Sequence, residues 1–503
     1  MRKSLLTSML GVLFASALPF ASVSAQHIVS PNVPQDSYVY DYIDKLDALG
    51  YLPEARQTSK SYNRLQVAKW IVTIEEAVAQ KGAKSPFVIA MLNQLREDFA
   101  TELEILSTGE VPHEFNVTQA KVGIDVTKGK TISQNRTKSS YQPFAVNNSG
   151  YDYADGVNGN ASFEVSGYLG NKFAAEITPR FDIDKDDAEL SLARGYVKTY
   201  LGSMEIQIGK DDMWWGPNQR GVLGMTTNAK AQTGIKLSSI DPIEIGGTFK
   251  FLGKVKPTFF LSKLSDNRTD VKEPNLFGGR IEIMPNKRLV LGASMLSIVG
   301  GEGNHLSSSD WGNWLVGKND DSNDKWNSLA GYDVIYKMPK VQIYGSIYGE
   351  DQSTGLGFIP SPSKIAWNAG LYLPTLSTDG RWDLRIEGGK TNNWWYNHWV
   401  FTDGFTHKGH IMGDYMGHDS RRLYARLGYF DDKANQIGLN VEYLEMNKNS
   451  LEKPEVLAVW LDARHRLQED LLLEGRLGVA SIDRSKSGDT TDYIVGVNVT
   501  KTF

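Results

Sequence analysis

Apolar positions follow two different periods along the chain, and the change between them divides it. From about Asp36 to Leu106 they recur every three or four residues, the spacing of one helix face. Val39, Ile43, Leu46 and Leu49 make a first stripe, with Asp36-Ser37 placed to cap it and Gly50 to stop it. Asn63 stands before a second, formed by Leu65, Ala68, Ile71, Val72 and Val78. Ser85-Pro86 opens a third by the N-cap and N1-proline preferences, carrying Met91, Leu95, Phe99, Leu103 and Leu106. Three short amphipathic helices are expected.

From about Phe115 onward the period is two. Phe173, Ala175, Ile177, Pro179 and Phe181 alternate with Lys172, Glu176 and Arg180. Trp382, Leu384 and Ile386 alternate with Arg381, Asp383, Arg385 and Glu387. Leu423, Ala425, Leu427 and Tyr429 alternate with Arg422, Tyr424 and Arg426, and Leu471, Leu473 and Leu477 with Glu474 and Arg476. A sandwich core cannot take charges on the inner face of so many strands, whereas the lumen of a membrane barrel can hydrate or pair them. Tyr493, Val495, Val497, Val499 and Phe503 share one face of the last strand. A terminal aromatic on such a strand resembles the signal by which bacterial outer-membrane barrels are recognised for insertion.

The spacing of the runs sets a topology. Tight joins fall at Gly170-Asn171, Gly202-Ser203, Met338-Pro339, Asp431 to Asn435 and Leu467-Gln468. Long ones fall at 127–159, 212–228, 299–326, 351–362, 392–420 and 482–489. The tight joins read as periplasmic and the long ones as external. Counts from the two ends disagree near Ser239 to Pro242, so one of about 19 candidate strands is surplus and an even total of about 18 is expected.

The first residues change the compartment. Arg2 and Lys3 precede an apolar stretch from Leu5 to Phe20, and Val23-Ser24-Ala25 supplies the small residues of an export-signal cleavage site before Gln26. After it, no run of roughly 18 apolar residues offers a spanning helix. The expected organisation is a signal peptide over 1–25, a periplasmic three-helix domain over 26–112 and an all-β transmembrane antiparallel barrel over 113–503. The absence of Cys excludes disulfides and thiol catalysis. Abundant Gly (48) and Tyr (22) at a mean hydropathy of −0.35 fit a barrel whose apolar residues occupy alternate positions. A net charge of −5 excludes a broadly basic nucleic-acid binder.

Two loop segments carry motifs. One runs Asp211-Asp212-Met213-Trp214-Trp215-Gly216-Pro217, continues through Arg220-Gly221-Val222-Leu223 and reaches Thr227-Asn228-Ala229. The other is Gly404-Phe405-Thr406-His407-Lys408-Gly409-His410, followed by Gly413, Gly417-His418, Asp419-Ser420 and Arg421. Both resemble the Wzi family of capsule-assembly proteins, whose members carry a tryptophan-glycine-proline segment followed by an asparagine-alanine pair, and a glycine-histidine and aspartate-serine run in a late external loop. Length, helical start and export signal agree, so the resemblance covers essentially the mature chain. It implies a monomeric barrel with a helical bundle on its periplasmic side, needing no cofactor. It also implies a lectin-like role in attaching capsular polysaccharide to the cell surface, without chemical turnover.

The residues are compatible with that role. Sugars stack their C–H faces on aromatic rings and satisfy their hydroxyls with planar polar groups. Candidate glycan contacts are Trp214, Trp215, Trp394, Trp395, Tyr396 and Trp399, with His407, His410, His418 and Asp419 as polar partners. Trp311, Trp314 and Trp326 lie in a further external stretch. Arg220, Lys408, Arg421 and Arg422 offer countercharge to an acidic polymer. Blander readings compete: paired tryptophans serve as interfacial girdle or loop packing, and Gly and His shape a tight loop. The histidines lack metal-ligand spacing, and no metal is expected. Asp182, Asp184, Asp186 and Asp187 imitate a calcium loop but place Asp where its glycine belongs.

The N-terminal region also looks distantly like a surface-layer-homology repeat, but only Arg64 fits that module's charged motif. A bundle that plugs or caps the barrel competes with wall binding. Rival functions are a diffusion porin tethered to the wall through the helices, and an enzyme. Ladders such as Arg385/Glu387 and Glu474/Arg476 would close a porin lumen, and His418-Asp419-Ser420 adjacency makes no triad. Expected partners are surface polysaccharide, outer-membrane lipids and the barrel-assembly machinery.

Overall fold

The two-residue alternation folds into one closed antiparallel sheet, because only closure satisfies every strand edge in hydrocarbon. The computed structural model describes residues 27–134, 136–265, 267–315, 325–353, 361–486 and 488–503. The expected export signal lies outside them. The first nine strands are β1 His113–Lys128, β2 Gly156–Leu169, β3 Phe173–Ile183, β4 Ala188–Leu201, β5 Met204–Lys210, β6 Thr233–Ser239, β7 Lys254–Lys263, β8 Asn275–Asn286 and β9 Leu289–Val299. The remaining nine are β10 Trp326–Met338, β11 Val341–Gly349, β12 Ala366–Leu373, β13 Trp382–Lys390, β14 Arg421–Phe430, β15 Gln436–Glu445, β16 Glu455–Gln468, β17 Leu471–Asp483 and β18 Thr490–Thr502. Neighbours in sequence are neighbours in the sheet, and β1 pairs with β18 from Gln119↔Thr502 to Lys128↔Tyr493 to close the barrel. The surplus candidate strand is the connection between β6 and β7, where Ile243–Glu244 forms a two-residue strand beside β7 and Gly247–Leu252 winds into a 3-10 turn.

Outward residues such as Ile124, Ile208, Leu439 and Val495 are exposed, while their sequence neighbours Asp125, Gln207 and Asn440 are buried inside. Tyr493, Val495, Val497 and Val499 face outward as the alternation requires, and Phe503 is exposed at the end.

Among the described residues before β1 there are four helices rather than three: α1 Val39–Ala48, α2 Arg64–Lys81, α3 Pro86–Asp98 and α4 Ala100–Thr108. The third stripe breaks at Phe99, whose φ of −114° and ψ of 21° leave helical geometry while its ring stays buried. Asn63 caps α2 by accepting from the Gln66 N–H at 2.8 Å, and Pro86 sits at the start of α3. Arg64 pairs with both oxygens of Glu102 (2.8 and 2.9 Å) and lies 4.5 Å over the Phe99 ring. Its role here is to bind α4 to α2.

The helical unit sits in the barrel end that carries the short connections, and charge holds it there. Lys45 donates to Asp383 on β13 and to the Pro374 carbonyl, both at 2.8 Å, with almost no exposure. Tyr42 donates to the Ala434 carbonyl at 2.8 Å. The Asn32 amide donates to Gln207 (3.0 Å) and Asp211 (2.7 Å). Glu282 on β8 is fully buried and accepts from the N–H groups of Thr58 (2.7 Å) and Ser59 (3.1 Å) and from both their hydroxyls. Beside it Arg280 is bound to Asp333 at 2.6 Å.

Removing Glu282 leaves the Thr58 and Ser59 N–H groups without their acceptor and Arg280 with Asp333 as its carboxylate, a loss of about 1–3 kcal/mol for each stranded donor. Glu282→Ala is expected to undock the segment around Thr58. Amide exchange at Thr58 to Lys60 should accelerate strongly while the strands keep their protection.

Candidate functional site

The segment between β5 and β6 turns inward instead of projecting from the rim. Trp214 exchanges backbone hydrogen bonds with Lys60 of the helical unit (3.0 and 2.8 Å), and its indole donates to the Asn218 carbonyl at 3.0 Å. Trp215 packs edge-on against Phe260 with centroids 5.2 Å apart. Further along, the N–H groups of Gln219 and Arg220 donate to the two oxygens of Glu387 at 2.8 and 2.9 Å. Glu387 also accepts from the Tyr344 hydroxyl at 2.8 Å. The Arg220 guanidinium bonds Glu442 at 2.6 and 3.2 Å and lies among the rings of Tyr415, Tyr424 and Trp460. Once Glu442 has taken that charge, Arg220 has none to offer an acidic sugar.

The long segment between β13 and β14 packs onto this first one. Tyr396 donates to the Leu223 carbonyl (2.7 Å) and accepts from the Asp414 N–H (2.9 Å). The Thr226 N–H donates to the Met412 carbonyl at 2.7 Å, and the Asn228 amide to the Ile411 carbonyl at 3.0 Å. Gly413 permits this approach, since a Cβ there would lie 2.0 Å from the Tyr396 hydroxyl. Gly404 adopts φ +76° to turn the chain into a short hairpin that pairs His407 with His410. Arg422, fully buried, is bound to Asp414 at 2.6 Å. Two further loops brace the assembly: Gln134 donates to the Tyr415 carbonyl at 2.6 Å, and Arg268 to those of Thr406 (2.9 Å) and Gly404 (3.0 Å). The result is a plug with its own buried core, running across the lumen from β7 and β8 to β15 and β16.

Most sequence-derived candidates therefore serve the plug. Trp214, Trp215, Trp395 and Tyr396 are buried, the last two completely, and present no face on which a sugar could stack. They are neither girdle residues nor surface contacts. His407, His410, His418 and Asp419 are also buried; His410 faces Asp152 at 3.1 Å, and Asp419 accepts from the Asn449 amide at 2.9 Å. Arg422 is consumed by Asp414, and Arg421, though exposed, pairs with Glu445. Trp314 packs against Phe277 with ring centroids 4.9 Å apart, and Trp326 is buried.

Among the described residues, the candidates left on the surface without an ion-pair partner are Trp394 (50% exposed), Trp399 (69% exposed) and Lys408, and Trp311 of the further stretch is also exposed. Two cations flank Trp394 that the sequence reading missed: Arg136 lies 5.8 Å and Lys364 4.9 Å from its ring. No signal in the sequence joins these three loops, because their proximity is created by the plug. The aspartate run between β3 and β4 is a turn in which Asp184 accepts from the N–H groups of Asp186 and Asp187, with Asp182 bound to Arg180.

Burial and the cations around it push the His407 imidazole down to about 3, and burial pushes His418 to about 4. Both fold neutral, whereas in the unfolded chain they titrate near about 6.5. Their contribution is fully present above that value and is lost as pH falls toward 3–4, at up to about 1.4 kcal/mol per pH unit for each. Melting temperature is expected to fall with pH below 6.5, and His407→Gln with His418→Gln should flatten that slope.

The comparisons agree with this architecture. The family model for capsule assembly protein Wzi matches residues 127–493. An uncharacterised 55.8 kDa protein in the cps region of Klebsiella pneumoniae is 28% identical over 169 residues, which is 32% of this chain and 32% of that relative's own length. The solved structure of Wzi from Escherichia coli, described as an outer-membrane protein involved in group 1 capsule assembly and a carbohydrate-binding β-barrel, superposes with a TM-score of 0.70. That match is 16% identical and covers 94% of this chain and 100% of the other. With the family model matched over the greater part of its length, on an 18-stranded closed barrel with helices at one end, the chain belongs to the Wzi family of capsule-assembly proteins.

Proposed function

We propose that this barrel binds surface polysaccharide at the rim opposite its helices and holds it there without chemical turnover. In this reading the helical unit lies in the periplasm, the long loops face outside, and the bound polymer is capsular. The carrying observation is the pair Trp394 and Trp399, strongly exposed on a segment whose other aromatic residues are buried. Solvating an indole on a rigid, otherwise well-packed loop suits a surface meant to be covered. Arg136 and Lys364 beside Trp394 give it cationic neighbours suited to uronic or other acidic sugars. The carbohydrate binding described for the Escherichia coli relative supports the same assignment.

Two alternatives fit less well. A diffusion porin needs a hydrated constriction, whereas the lumen here is crossed by a hydrogen-bonded plug and stopped by helices. An enzyme would need an activated nucleophile, but Ser420 donates to the backbone carbonyl of His418, and the His418 Nδ1 has no partner.

Replacing Trp394 and Trp399 by Ala removes two stacking faces of about 0.5–1.5 kcal/mol each. Cells carrying the double variant should make and export polymer normally but retain less of it, and the purified variant should bind polymer more weakly. Unchanged retention with a correctly assembled barrel would defeat the reading. Planar-bilayer recordings of the intact protein are expected to lack large, steady conductance steps, which a porin would display.

A further inference from the structure

The connection between β6 and β7 stands apart from every other join at the helical end. Its 3-10 turn projects Phe249 and Phe251, 61% and 66% exposed and within 6.3 Å of each other. The 3-10 turn buries none of its residues, and a Cβ on Gly246 or Gly247 would meet nothing within 4 Å. The segment is nevertheless anchored: the Ile245 N–H donates to the Gly253 carbonyl at 2.9 Å, and Lys254 pairs with Glu54 of the helical unit at 2.8 Å. It is a built projection whose aromatic tip has no cover among the described residues.

The connection itself carries two acids, Asp241, paired with Lys69 at 2.7 Å, and Glu244, but the cations around it outnumber them. Lys250 on the turn is exposed, as are Lys287 and Arg288 in the next short connection along the sheet and Lys340 in the one after. Other basic residues on this rim turn inward, Lys254 to Glu54 and Lys337 to Asp47. The next sector around the barrel differs in sign: the connections after β12, β14 and β16 carry Asp379, Asp431, Asp432, Glu469 and Asp470 against Arg381 and Lys433. The aromatic tip also continues the barrel's apolar outer surface, since Val255, Pro257 and Leu261 on β7 form the outward column above it.

Exposed aromatics next to lysines and arginines, at the end of an apolar belt, are the chemistry of the lipid headgroup layer. There amphipathic rings settle at the interface and cations are drawn to an anionic surface. We propose that this sector of the helical-end rim docks on anionic phospholipid, with Phe249 and Phe251 inserted among the headgroups and Lys250, Lys287, Arg288 and Lys340 on the phosphates. The acidic sector is repelled by the same surface, so the contact sets a tilt and a rotational preference for the barrel and for the helices it carries. Which leaflet is met in the cell follows from the orientation proposed above; the contact itself does not.

A cysteine-free chain gives a clean test. Thr248→Cys in the full mature protein carries a nitroxide as its one thiol label, keeping both phenylalanines and all four cations. Glu469→Cys labels the acidic sector as reference. In symmetric nanodiscs containing anionic phospholipid, power saturation should give a several-fold higher ratio of oxygen to nickel-chelate accessibility at position 248 than at 469. Adding Lys250→Glu, Lys287→Glu and Arg288→Glu should bring the ratio at 248 down toward the reference. Equal ratios at the two sites would place the turn in water, and shielding from both reagents would mean protein covers it; either overturns the proposal. Because the bilayer is symmetric, the result is independent of how the barrel faces in the cell and of any glycan binding.

Discussion

Three carboxylates on the lumen wall govern how this molecule is built. Glu282 on β8, Glu387 on β13 and Glu442 on β15 are wholly buried, and each accepts hydrogen bonds from a segment that enters from elsewhere. Glu282 takes the backbone of the helical unit, Glu387 the backbone of the β5–β6 segment, and Glu442 the Arg220 guanidinium from that same segment. Withdrawing an ion from water costs several kcal/mol, and only converging donors offset it. A two-residue period that sends charge inward therefore demands occupants for the lumen, and the occupants must present N–H groups at those three points. The wall and its contents specify each other.

That reciprocity explains which parts of the structure were legible in the sequence. Alternation such as Trp382, Leu384 and Ile386 against Asp383, Arg385 and Glu387 is a local property, so it revealed the strands, their faces and an even count near 18. The place where two counts collided, near Ser239, is where the chain leaves the sheet for a 3-10 turn. Helix existence was equally readable, but the break at Phe99 was not, because it depends on Arg64 and Glu102 drawing α4 against α2.

The site was far less readable. Tryptophan pairs and a glycine-histidine run look alike whether they face a ligand or a neighbouring loop. Trp215 meets Phe260, and Tyr396 meets Leu223 from well over a hundred residues away, contacts that no local pattern encodes. The Arg385/Glu387 ladder was expected to pair and close the lumen; the two lie 4.0 Å apart with the Tyr344 hydroxyl bridging them, and Glu387 also takes N–H groups of the plug. The motifs by which the family is recognised are thus chiefly the residues that hold the plug, and the exposed tryptophans lie beside them.

The β5–β6 segment touches both ends of this assembly. Its beginning is hydrogen-bonded to Lys60 among the helices, and its later part to Tyr396, Ile411 and Met412 beneath the exposed tryptophans. Mechanically it is an internal tie-rod. Drag on anything gripped at the outer rim would be shared between the strands and a shear-loaded ladder of backbone hydrogen bonds that ends in the helical cap. If the proposed tethering holds, tension on the rim opposite the helices seats the helical stopper instead of pulling the assembly open.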